Sequence, residues 1–165
     1  MTCFSLRFIP FIHRNAKFIE FFIGNSQGKL LHYNKDLSFK PGSNTRDNST
    51  KEIIFDNPGE GPITGVQCYN KEDKDLVVYS TATRVRVIHY EKKQKICMVE
   101  IPDRYPTFPE YIHKIIKPTF LFRRVKIGEE QQESDLLIVQ WMNLIKVCRV
   151  QLGQDGRYRM EVIKK

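Results

Sequence analysis

The sequence predicts an all-β chain of about three four-stranded antiparallel units. Three observations carry that expectation. Short runs rich in Val, Ile and Tyr recur along the 165 residues, separated by tight polar turns. Apolar and polar residues alternate within the runs with the period of two that a strand requires. The third runs also repeat: LLHY at Leu30–Tyr33 answers VIHY at Val87–Tyr90, 57 residues on, and Val85 and Val87 match Ile145 and Val147 after sixty.

In chain order, Cys3–Ile9 and Phe18–Ile23 are two apolar, aromatic runs separated by Pro10–Lys17. GNSQG, Gly24–Gly28, is a hairpin connection into Lys29–Tyr33. The fourth strand of this unit, Lys51–Asp56, comes after an insertion, Asp36–Thr50, rich in Ser, Asn, Gly and Pro and expected to be a surface loop. The turn Asn57–Gly61 places Pro62 at the first position of a strand, where a sheet tolerates proline.

The second unit has strands at Ile63–Tyr69, Leu76–Ser80, Arg84–Tyr90 and Ile96–Ile101. In its third strand Val85, Val87 and His89 face one way and Arg84, Arg86, Ile88 and Tyr90 the other. Neither face is wholly polar, so both should be partly covered. In Pro102–Lys117, Pro109 is positioned to open a single helical stretch with Tyr111, Ile112, Ile115 and Ile116 on one side, ended by Pro118. Thr119–Lys126, Leu136–Trp141, Asn143–Gln151 and Tyr158–Ile163 make the third unit, with a charged loop at Gly128–Asp135.

Four short strands per repeat are the signature of a β-propeller blade. The expected fold is therefore a partial WD40-like β-propeller spanning residues 1–165, with approximate blades at 1–57, 58–102 and 118–165 and a loop or short helix at 103–117. A twelve-strand sandwich or barrel is the competing architecture. Rings of this kind close with ~4–8 blades, so three leave two bare ends.

The formal net charge of +8 favours an acidic partner such as a membrane surface, nucleic acid or an acidic protein. Much of that charge is also accounted for by a solvated outer face. Met1–Arg14 lacks the basic start of a secretory signal, and Arg7, Pro10 and His13 interrupt its apolar residues. The four cysteines, Cys3, Cys68, Cys97 and Cys148, are far apart and read as free thiols in a cytosolic chain.

Catalytic and cofactor chemistry finds no matching constellation. GNSQGK, Gly24–Lys29, is too short for a phosphate-binding loop and has Leu30 where Ser or Thr should hold magnesium. His13, His32, His89 and His113 show no metal-ligand spacing, and His32 and His89 occupy equivalent blade positions that favour packing. Glu129, Glu130 and Glu133 read as solvated loop residues, and Cys148 as a packed thiol. The aromatics alternate into presumed cores and form no basic stacking platform for nucleic acid. The expectation is a non-enzyme with no cofactor and no metal.

An ordered set of segments resembles the amino-terminal propeller of the vacuolar protein sorting 41 family, subunits of the HOPS membrane-tethering complex. These are FFIGNSQGKLLHYNK at Phe21–Lys35, GEGPITGVQ at Gly59–Gln67, TRVRVIHYEKKQKICMVEIP at Thr83–Pro102, YPTFP at Tyr105–Pro109 and LLIVQWMNLIKVCRVQL at Leu136–Leu152. The resemblance implies a non-catalytic trafficking scaffold, cytoplasmic and peripheral to late endosome, vacuole or lysosome membranes. Its implied partners are other HOPS subunits, a late-endosomal Rab-type GTPase and an adaptor complex. The family's helical repeat and zinc domain have no counterpart in these residues.

A second resemblance concerns LFRRV, Leu121–Val125, which is similar to the Phe-Arg-Arg-Gly motif of phosphoinositide-binding propellers, with Val125 in place of the glycine. It implies Arg123 and Arg124 as contacts for a lipid head group or acidic partner. Adjacent arginines on a strand face opposite sides, so each would reach a different phosphate.

Overall fold

The computed structural model describes residues 3–10, 17–36, 50–56, 58–69, 76–101, 117–127, 132–142, 144–153 and 157–164. Within them the chain is all-β, with three antiparallel sheets of four strands each. The first sheet holds β1 (Cys3–Pro10), β2 (Lys17–Gly24), β3 (Lys29–Asp36) and β4 (Thr50–Asp56). A 3-10 turn at Pro58–Glu60 leads to the second, with β5 (Gly65–Cys68), β6 (Leu76–Ser80), β7 (Arg84–His89) and β8 (Gln94–Glu100). The third holds β9 (Thr119–Ile127), β10 (Gln132–Trp141), β11 (Leu144–Leu152) and β12 (Tyr158–Lys164). Each sheet is a meander in which sequence neighbours pair.

The sheets stack like the blades of a propeller. The first strands of successive sheets lie side by side, β5 against both β1 and β9, while β8 meets β12 at the rim. The period-two pattern of β6 and β7 supplies both faces of the middle blade. Val77, Tyr79, Ile88 and Tyr90 pack with Phe22, Leu30 and Ile54 of the first blade. Leu76, Val78, Val85 and Val87 pack with Phe122, Leu137, Val139, Cys148 and Val150 of the last. All five residues of β6 are buried, which fits a strand sandwiched on both sides. Each fully buried Val or Ile contributes roughly 1.5–3 kcal/mol relative to an exposed one.

A bulge interrupts the pairing of the third and fourth strands in every sheet. It falls at Leu30/Leu31, Val87/Ile88 and Val147/Cys148, at the same 57- and 60-residue spacing as the sequence echo. The repeat is thus one of backbone geometry as well as of side chains.

Three strands start two or more residues from the expected position: β8 at Gln94 instead of Ile96, β10 and β5. β10 begins at Gln132, inside the stretch expected to be a loop, because its polar residues pair by charge: Lys126 lies opposite Glu133 and Arg124 opposite Asp135. β5 begins only at Gly65, since the Ile63 amide is turned to the Asn25 carbonyl of the first blade at 3.0 Å. The helical stretch expected after Pro109 and most of the insertion expected at Asp36–Thr50 fall outside the described residues. No helix among the described residues is long and apolar enough to cross a membrane.

Candidate functional site

The polar chemistry concentrates where blades meet. Between the middle and last blades, the Tyr69 hydroxyl donates to Asp135 Oδ1 at 3.2 Å, and Arg124 Nε donates to the same oxygen at 2.8 Å. Arg124 Nη1 reaches Glu133 Oε2 at 3.0 Å, and its guanidinium lies 6.0 Å from the centroid of the Tyr69 ring. Burial, with the Asp135 charge added to it, pushes the Tyr69 hydroxyl up to about 12. The hydrogen bond that Arg124 donates to Asp135 holds its guanidinium still more firmly protonated than usual. Beside this group the Gln67 side chain acts as a surrogate peptide unit, accepting from Phe122 N and donating to Phe122 O, both at 3.1 Å.

Arg123 and Arg124 do point to opposite sides of β9. Arg123 is exposed, whereas Arg124 faces the middle blade and is held by two carboxylates. The structure therefore does not bring the two guanidiniums to one anion. Glu133, expected in a loop, is a strand residue whose exposed carboxylate completes the Arg124 link. A cleft of about 560 Å³ opens next to it, lined by Arg124, Glu133, Asp135, Val150, Gln151 and Arg159 among others. Two cationic and two anionic side chains line it, so it has no strong preference for ligand charge.

A second cluster pins the 3-10 turn to the middle blade. Arg86, 7% exposed, donates through Nε to Glu60 Oε2 at 2.9 Å and through Nη2 to Oε1, where Arg84 Nη1 also donates at 3.1 Å. Burial raises the Glu60 carboxyl, but the hydrogen bonds and charges of Arg86 and Arg84 outweigh it, and the net shift is below the ordinary value. Arg86 is thus an internal ion-pair partner and contributes little to any basic surface.

No family model, curated protein or solved structure matches the chain.

His32 stacks on Phe22 at 4.8 Å and tilts against Tyr90, whose hydroxyl donates to buried Glu20 at 3.3 Å. His89 Nδ1 accepts from Lys92 N at 3.5 Å in the following turn. Among the described residues no three His, Cys, Asp or Glu side chains come together as a metal site would require. In the β2–β3 connection Asn25 Oδ1 accepts from the amides of Gln27 and Lys29, and Gly28 takes a φ of 79° that suits glycine. Lys29 is paired with Asp56 at 3.1 Å, so this segment works as a hairpin turn. Cys68 and Cys148 are buried, and burial pushes the Cys97 thiol up to about 12, which leaves it a poor nucleophile.

Sequence reasoning missed Glu20, Glu60, Tyr69 and Asp135, whose partners lie in other strands or other blades. The one available signal was an acidic residue at a position that the period of two assigns to a buried face, as with Asp135 beside Leu137 and Val139.

Proposed function

We propose that the chain is a non-catalytic interaction module, a propeller segment of a HOPS-type tethering subunit that acts in vesicle docking and protein transport to the vacuole or lysosome. The ordered resemblance across Phe21–Leu152 supports this reading. So does one observation: the described polar clusters are spent on internal links, Tyr69–Asp135–Arg124 between blades and Glu60–Arg84–Arg86 within the middle one, so recognition falls to the outer surfaces and edges. Its partners on this reading are other HOPS subunits, a late-endosomal Rab-type GTPase and an adaptor complex, at the cytoplasmic side of the membrane. The test is pull-down with GTP- and GDP-loaded late-endosomal Rab proteins and with purified HOPS subunits. Nucleotide-dependent retention of a Rab is expected, and indifference to every one of these proteins removes the reading.

The exposure of Arg123 favours a second reading, a phosphoinositide-binding propeller recruited to endosomal or autophagic membranes. Flotation with phosphatidylcholine liposomes, with and without phosphatidylinositol phosphates, separates the two. This reading expects lipid-dependent flotation that Arg123→Ala abolishes, and it fails if the variant floats like wild type.

A further inference from the structure

The repeat leaves two matching sets of side chains uncovered. Leu76, Val78, Val85 and Val87 of the middle blade are at most 1% exposed because the last blade covers them. Sixty residues on, the same positions of the last blade are Leu136, Ile138, Ile145 and Val147. Strand alternation turns these away from the middle blade, since Leu137, Val139 and Cys148 occupy that core. Leu136, Ile138 and Val147 are half-buried, Ile145 is 49% exposed, and Leu121, paired with Ile138, is 45% exposed.

The first blade has the converse gap. Val77, Ile88 and Tyr90 of the middle blade are buried against it. By pairing register and repeat spacing their counterparts are Ile23, Leu31 and Tyr33, half-buried on the outer face, with Ile53 beside Leu31 at 46% exposure. Among the described residues, no sheet covers either of these two outer faces.

We propose that two copies of this chain close a ring head to tail, with the outer face of each last blade covering the outer face of the other copy's first blade. This contact continues the interface the chain already makes twice: the positions left bare at the ends are those buried at both internal junctions. The contact is heterologous, and it closes under a twofold operation because two sets of three blades give six, inside the ~4–8 blades with which such rings close. The flanking chemistry also matches. Arg123 and Arg149 border the apolar row of the last blade, and Phe21 and Tyr33 lie on the outer face of the first. Cation over aromatic ring is a pairing already used between blades, by Arg124 over Tyr69 and by Lys95 over Phe55 at 5.1 Å.

Sedimentation or light-scattering mass of the intact chain at micromolar concentrations tests this. Wild type is expected at twice the mass of one chain. Ile145→Asp and Ile53→Asp should each weaken the dimer at least about tenfold, as a charge placed in an interface centre does. Both sites are at the surface, so circular dichroism should show each variant folded. Mixing the two variants should restore a dimer through the one contact whose faces are both intact, weaker than wild type. A wild type that stays monomeric throughout overturns the proposal. So does a dimer indifferent to Ile53→Asp, which would be joined last blade to last blade. Mass that climbs without limit overturns it as well, since the contact then does not close.

Discussion

Asp135 receives a hydroxyl from the middle blade and a guanidinium from its own, at 4% exposure. Removing the guanidinium leaves a largely buried carboxylate without the counter-charge of its own blade. Arg124→Ala should therefore cost about 2–4 kcal/mol in urea unfolding, while Arg123→Ala, on an exposed side chain, should stay within about 0.5 kcal/mol. Glu60 gives a pH signature. Its carboxyl titrates below the ordinary 4.5, so its links to Arg84 and Arg86 stabilise the fold above that value and are lost as pH falls through the lower folded one. Wild type should lose stability below pH 4.5 more steeply than Glu60→Gln, and the variant should be the less stable of the two at pH 7. Little of this was legible in advance. A sequence shows that Arg86 and Glu60 exist, but it does not show that a turn folds one onto the other across a strand.

Strands were the most readable elements, for a physical reason: a half-buried strand must alternate and one covered on both faces reads as a short continuous apolar run, as β6 does at Leu76–Ser80, whose limits its sequence predicts. Where the inner face is charged, alternation of hydrophobicity fails as a signal, which is why the sequence at the start of β10 predicts a loop. Gly65 is another silent feature. A Cβ there would stand 2.9 Å from Ser80 Oγ and 3.0 Å from Phe120 Cε1, so glycine is what lets β5 approach both its own partner β6 and the next blade. Gly65→Ala should destabilise by about 1–3 kcal/mol, read by thermal unfolding. Shortening the neighbour with Phe120→Leu should recover part of that loss if the ring is the obstacle.

On the scale of the whole molecule the middle blade is the shared wall of both cores, and the outer blades each have one covered face. Stability in such a stack is a chain of nearest-neighbour terms. In the monomeric Ile145→Asp variant, amide exchange should accordingly be slowest in β6 and β7 and faster in the end sheets, measured by mass spectrometry of peptic peptides. Equal protection across all three sheets would mean that the stack opens as one unit. The three-unit architecture was legible because the echo between third strands is strong. The depth of interlock between units was not, because it rests on cross-blade pairs with no sequence spacing of their own.

The bulge shared by the three sheets gives the repeat a tolerance for length. Strands one to three of a blade must keep strict parity, since a slip of one residue exchanges the faces that two different cores require. The break at Leu30/Leu31, Val87/Ile88 and Val147/Cys148 lets the rim strand take its own phase. It works as an expansion joint: a residue gained or lost beyond it is absorbed at the periphery, and the inner strands keep their alignment with the neighbouring blade.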